Sequence, residues 1–163
     1  MVLAVPLLPR PAAADHSEYG VLASVRATNR DHSFEQRELF ARFPGAPGDP
    51  EGAIATHWVV TLGMISGAGG EGLIASVGGD VRLQSPGRAG FVEVGFRPSL
   101  ITRDRYGTTD LGYHLEFISH IGLGVRVGPR ATVSFRGQHM SNGGLSENNP
   151  GINTTAISIG YGF

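Results

Sequence analysis

His139 and Ser141 are the pair in this sequence best suited to chemistry. They lie in Gly137-Gln138-His139-Met140-Ser141-Asn142-Gly143-Gly144. On a β-strand, residues two apart point to the same face. An imidazole beside a hydroxyl is a base beside a nucleophile, because the hydroxyl oxygen is weak until its proton is removed. That pairing suits acyl transfer from an ester. The spelling H-x-S recurs by chance in strands, so the surrounding elements must decide what it means.

Those elements read as strands. From Tyr19 onward, Gly/Pro/Asp/Asn clusters divide the chain into about eight extended segments: Gly20–Thr28, Phe34–Phe43, Thr56–Ser66, Gly72–Leu83, Ala89–Pro98, Asp110–Ile121, Arg130–Ser141 and Asn153–Phe163. The clusters between them include 44–52, 66–72, 85–88, 102–110, 124–130 and 142–151. Leu73, Ala75, Val77, Val81 and Leu83 share a face opposite Ser76, Asp80 and Arg82. Val92, Val94 and Phe96 oppose Glu93 and Arg97, and Ile157, Ile159, Tyr161 and Phe163 oppose Ala156, Ser158 and two glycines. Leu111, Tyr113, Leu115 and Phe117 oppose His114 and Glu116. The second segment breaks the rule, since Glu35 and Arg37 fall on the face of Leu39, Ala41 and Phe43. A strand end or a bulge would account for that.

Period-2 alternation fits two architectures. In a soluble sandwich the apolar face is the core. In a membrane barrel it meets lipid, and the polar face fills a small lumen. Segments of about ten residues suit a tilted strand crossing a bilayer, whereas soluble strands are commonly shorter, about 5–6 residues. The even count and the ending Ile-Ser-Ile-Gly-Tyr-Gly-Phe, with Phe163 last, point the same way. The expected fold is an all-β, eight-stranded antiparallel transmembrane barrel of outer-membrane type. Asp80, Arg82, Glu93, Arg97, Glu116 and Arg136 then face the lumen and pair there. His114 and His120 share that parity with Glu116, which reads as buried ion pairing in preference to a metal site. His16, His32 and His57 sit near segment ends and read as solvated.

In this frame the parity of the H-x-S pair gains meaning. Counting back from Ser141 and His139 gives Gly137, Phe135, Val133 and Ala131, so both polar residues continue the apolar face. Polar side chains facing lipid are costly and mark function. The eighth segment carries Asn153 on its outer parity, next to the seventh, so His139, Ser141 and Asn153 converge on one rim. Counting strands back from the C-terminus places the 142–152 loop on the extracellular side. The substrate is then a molecule that lies in the outer leaflet.

Composition agrees. The chain has 163 residues, 13 basic and 14 acidic side chains, and a net charge of −1, which is not the basic excess of a nucleic-acid binder. All 13 basic residues are arginine. Cysteine is absent, which removes thiol catalysis, disulfides and Cys-ligated zinc. Twenty-five glycines argue against a helical fold. No apolar run approaches the roughly 18 residues of a spanning helix. Residues 1–14, MVLAVPLLPRPAAA, resemble the distal part of a truncated secretory signal with cleavage after Ala14. That leaves 15–163 as a single barrel domain.

His139-Met140-Ser141-Asn142-Gly143-Gly144, then Asn149-Pro150-Gly151-Ile152-Asn153 and an aromatic C-terminus, resemble the lipid A 3-O-deacylase (PagL) family of eight-stranded outer-membrane barrels. The resemblance is sharp over Phe135–Phe163 and architectural elsewhere. It implies a serine esterase that removes the ester-linked 3-O acyl chain of lipid A, with His139 as base and Ser141 as nucleophile. Asn142 and Gly144 match positions that supply the oxyanion hole. The family's acid, usually Glu, falls at Asn153, whose carbonyl can orient the imidazole without stabilising its charge. Glu147, in the loop between, is the nearest alternative acid. No cofactor or metal is implied. The implied partners are lipid A or lipopolysaccharide and the outer membrane, and a homodimer is compatible. A non-enzymatic structural barrel is the competing function, favoured by Asn153. A transport barrel ranks third, because eight strands leave little lumen.

Overall fold

The structure, a computed structural model, describes residues 17–29, 32–45 and 53–163. The segment 1–14 and His16 lie outside these residues. The strands are β1 (Glu18–Asn29), β2 (His32–Pro44), β3 (Ile54–Gly67), β4 (Gly70–Gln84), β5 (Gly90–Ile101), β6 (Arg105–Tyr106), β7 (Thr109–Asp110), β8 (Leu115–Val127), β9 (Ala131–Ser141) and β10 (Ile152–Gly162). Among the described residues, eight of them close into an antiparallel barrel in the order β1-β10-β9-β8-β5-β4-β3-β2. The short β6 and β7 form a separate hairpin in the β5–β8 connection. The rim where β9 leads into β10 is called upper here, and the rim carrying Phe163 lower.

The distribution of exposure decides between sandwich and membrane barrel. Outward residues are apolar and exposed: Leu39, Leu62, Ile121, Leu123, Phe135 and Ile159 are each 54–65% exposed. Inward residues include buried Glu18, Arg42, Asp80, Arg82, Glu93 and Arg136. A water-soluble protein would reverse this arrangement, while a barrel in lipid requires it. Ile157 is exposed with Phe135 and Ile159, as the alternation predicts, and Val133 is half-buried on the same face. At the lower rim Tyr19 packs against Phe163 and Tyr161, with centroids 5.5 and 6.2 Å apart, as part of an interfacial aromatic belt.

The lumen is filled and does not form a pore. Arg42 is its hub: its Nη1 lies 2.5 Å from Glu18, its Nε donates to Asp80 at 3.0 Å, and its Nη2 lies 3.5 Å from Glu93. Arg82 lies 3.2 Å from Glu93 and 3.3 Å from Glu18, and Arg136 lies 3.6 Å from Glu93. Five strands are thereby tied across the interior. The buried Arg–carboxylate pairing expected from parity is present for Asp80, Arg82, Glu93 and Arg136, but not for Arg97, Glu116 or His120: Arg97 reaches only Gln138 at 3.4 Å, and among the described residues Glu116 and His120 enter no ion pair. Breaking such a network from one side leaves charges uncompensated. Arg42→Met is expected to lower stability by about 3–5 kcal/mol. The measurement is urea unfolding in detergent, followed by fluorescence of the single Trp58. A loss below about 1 kcal/mol would show that the carboxylates are satisfied without Arg42.

Several details differ from the sequence reading. His57 is buried, not solvated, and its Nδ1 lies 2.8 Å from Asp80. His114 lies outside the lumen: it is exposed in the connection before β8, with Nδ1 3.0 Å from the Ile101 carbonyl. The expected sixth strand is displaced, because 109–110 pair with 105–106 and β8 runs on to Val127. Glycines that read as punctuation near 124 belong to that strand. A Cβ at Gly122 would stand 2.7 Å from Arg136, so these glycines admit the large lumen side chains of neighbouring strands. Glu35 and Arg37 do face outward and pair with each other at 2.9 Å, beside a register shift between β1 and β2.

The upper interior is apolar, which parity did not foretell. Phe34, Ile65, Ile74, Ile118, Met140 and Ile152 are buried there with Tyr106 and Leu111 from the β5–β8 connection. Tyr106 meets Phe34 edge-on, with centroids 5.3 Å apart, and burial pushes its phenol pKa up to about 12. The connection thus folds over the barrel mouth and presents its carbonyls to the neighbouring 142–151 loop.

Candidate active site on the outer wall

The ladder aligns two of the candidates, His139 and Asn153, in one row with Ser119. Ser119 on β8 pairs with His139 on β9, and His139 pairs with Asn153 on β10. All three have outward parity. Ser141 lies two residues further up β9, opposite Phe117, at the top of the strand. His139 and Asn153 are exposed and Ser141 is half-buried. Two residues of strand rise separate Ser141 from His139 by about 7 Å at the backbone, and among the described residues no hydrogen bond joins their side chains.

His139 is held on two sides. Its Nδ1 lies 2.8 Å from the Asn153 Oδ1. A carbonyl oxygen only accepts, so Nδ1 carries a proton, and the tautomer this selects for the neutral ring is the one with its lone pair on Nε2. Against the ring edge lies Gly151, where a Cβ would stand 2.9 Å from Cε1. Gly151 also has φ of 62°, so glycine serves both backbone and ring there. Glu147 is exposed in the loop, and the imidazole N–H goes to Asn153.

Asn142 organises the loop above the pair. It is fully buried, and its Nδ2 donates to the carbonyls of Leu111 at 2.8 Å and Asn148 at 2.7 Å. Its Oδ1 accepts from the Gly144 N–H at 2.9 Å, and its own N–H donates to Asn149 Oδ1 at 3.2 Å. These bonds tie the 142–151 loop to the β5–β8 connection. Asn148 Nδ2 adds a long bond of 3.4 Å to Asp110, whose carboxylate lies 2.6 Å from Arg105. The hydrogen bond from Arg105, then that from the Gly112 N–H, lowers the Asp110 pKa. Gly143 and Gly144 turn the chain with φ of 65° and 84°. No atom lies within 4 Å of a Cβ placed at Gly144, so the turn is open to an approaching group.

Asn149 is the residue that motif reading passed over as a functional group. Its Oδ1 is used by Asn142, and among the described residues its Nδ2 has no partner. The signal was in the sequence, in the Asn-Asn-Pro-Gly run before Ile152. What the run could not reveal is which Asn is committed to the fold and which has donors left over. The arrangement as a whole offers a hydroxyl, an oriented imidazole and an open glycine turn on a lipid-facing wall, but the donors expected of Asn142 and Gly144 are already given to Leu111, Asn148, Asn149 and Asn142 itself.

The comparisons with known proteins bear on the same region. The family described as lipid A 3-O-deacylase (PagL) matches residues 35–162. The lipid A deacylase PagL of Bordetella bronchiseptica is 29% identical over 73 residues, which is 45% of this chain and 41% of that protein. This chain's match therefore spans less than half of that relative's length. The crystal structure of the outer membrane enzyme PagL is similar with a TM-score of 0.74 at 18% identity, covering 90% of this chain and 99% of that one. That likeness establishes the barrel. The family match spans most of the chain, including β9, the glycine turn and β10, and on it the chain belongs to the lipid A 3-O-deacylase (PagL) family.

Proposed function

We propose that this protein is an outer-membrane serine esterase that removes the 3-O acyl chain of lipid A from the outer leaflet, with its upper rim extracellular. The observation that carries this reading is the His139–Asn153 hydrogen bond on a wall that otherwise presents apolar side chains to lipid. A polar dyad there has no structural task, since the lumen already holds the charges that tie the barrel together.

The chemistry runs through two half-reactions. Ser141 Oγ attacks the ester carbonyl carbon while His139 Nε2 takes its proton. The carbonyl oxygen becomes an oxyanion beside the 142–144 turn. Asn142 anchors that turn, Gly144 leaves it open, and the Asn149 amide supplies a donor. Collapse of the tetrahedral intermediate breaks the bond to the sugar oxygen, which takes the proton from His139 and leaves as an alcohol. Water, deprotonated by His139, then releases the acyl group from Ser141 as a fatty acid. Asn153 holds the Nδ1–H throughout, so the ring cannot turn its lone pair away.

Asn153 also favours a second reading, a structural barrel whose dyad lacks the carboxylate needed for turnover. Mass spectrometry of lipid A from cells with and without the protein separates the two. The esterase converts lipid A to a species lighter by one ester-linked acyl chain. Identical spectra, with the protein folded in the outer membrane, would sustain the structural barrel.

A further inference from the structure

Directly below His139 the outer wall has a notch. The next outward residue on β9 is Gly137, and a Cβ placed there would meet no atom within 4 Å. Most strand glycines in this barrel are the opposite case, crowded by a neighbour: a Cβ at Gly122 would meet Arg136 at 2.7 Å, and one at Gly67 would meet Phe34 at 3.0 Å. Nor does the backbone at Gly137 need glycine, since its φ is not positive. Glycine weakens a strand interior, so an uncrowded one with ordinary backbone marks a place where something else approaches.

The notch belongs to a groove of about 580 Å³. At its upper end stand Ser119, His139 and Asn153, and one row down Gly137 is flanked in register by Ile121 and Thr155. Two residues further down β9, Phe135 is 56% exposed and rises from the wall. From His139 to Phe135 the strand covers about 13 Å. The groove therefore begins at His139 and Asn153, runs away from the rim past Gly137 in the direction of Phe135, and opens sideways toward lipid.

We propose that this groove seats the acyl chain of the ester being cleaved, and that Gly137 determines which chains fit. The proposal rests on the esterase reading and adds its specificity element. A chain entering at His139 lies over Gly137 with Ile121 and Thr155 alongside and its far end toward Phe135. A sugar or phosphate headgroup does not suit this course, because it leads toward hydrocarbon. A side chain at 137 would close the seat about 7 Å below the His139 backbone, where a short acyl group has ended and a long one has not.

The test compares purified parent and Gly137→Leu in detergent on esters of one alcohol with short and long acyl chains. Gly137→Leu is expected to lower the long-to-short ratio of kcat/KM by about tenfold or more, the scale on which apolar sites discriminate by size. Ala75→Leu, on the outer face of β4, is the control and keeps the parental ratio. A second measurement does not depend on turnover. Native mass spectrometry should show Ser141→Ala retaining a long-chain ester that the Ser141→Ala/Gly137→Leu double variant releases. A parent that hydrolyses no ester refutes the esterase reading, and the mass spectra then decide the groove alone. An active parent whose ratio is unmoved by Gly137→Leu, or a double variant that retains the ester, overturns the groove.

Discussion

Ser141→Ala is expected to lower deacylation to the residual level, a loss of turnover on the order of 10²-fold, because the roughly 10⁶-fold of a complete triad is already reduced by about 10⁴ at Asn153, and His139→Ala should match it. The two residues act as one unit, since the hydroxyl attacks only as the imidazole takes its proton. Removing both should then cost no more than removing either one. Both side chains face outward and take no part in the lumen network around Arg42, so the variants should keep the parental barrel. The assay is release of fatty acid from lipid A in detergent, with heat-modifiable gel migration as the folding check. Turnover by folded Ser141→Ala equal to the parent's would remove Ser141 as nucleophile.

Asn153→Asp and Asn153→Glu carry the second large effect, in the opposite direction. Asn153 orients the ring through a 2.8 Å contact from Nδ1 to its Oδ1, yet a neutral amide does little for the positive charge that the imidazole acquires. In the serine-protease template, exchanging the carboxylate for an amide costs roughly 10⁴-fold in turnover. Restoring a carboxylate should recover a large part of that factor. Asp reproduces the Asn geometry and tests charge alone. Glu adds a methylene and must fold back to reach Nδ1, so the ranking of the two variants reports how tightly the contact is built. A rise in kcat for either one supports charge stabilisation as the missing element. If both turn over no faster than the parent, Asn153 acts by orientation only and the imidazolium is stabilised elsewhere.

Much of the fold was legible because a closed barrel enforces its period on every strand. Leu73, Ala75, Val77 and Leu83 face outward as their alternation requires, and Asp80 and Arg82 face inward. Departures concentrate where local pattern and global packing separate. His57 looks like a strand-end residue, and only closure of the barrel brings Asp80 of β4 to its ring. His114 has the right parity for a lumen residue, but parity holds only within a ladder, and His114 precedes β8. Glu35 and Arg37 break the apolar face in sequence and do so in space as well, paired to each other where β1 and β2 lose register.

The candidate site divides the same way. Residue types, spacing and parity on β9 and β10 were enough to place His139, Ser141 and Asn153 on one outer face, because a strand allows only two directions for a side chain. The family resemblance, too, rests on that one stretch. Hydrogen-bond accounting needed the tertiary structure. Asn142 and Asn149 are alike in sequence, yet Asn142 spends its amide hydrogens on the carbonyls of Leu111 and Asn148, while Asn149 has donors to spare. Gly137 and Gly122 are alike as well, and only neighbouring strands show that one lies open and the other is filled by Arg136. Periodicity is a local property of the backbone and survives in the linear chain, whereas the occupation of a donor or of a volume is a property of what lies opposite, set by closure of the sheet.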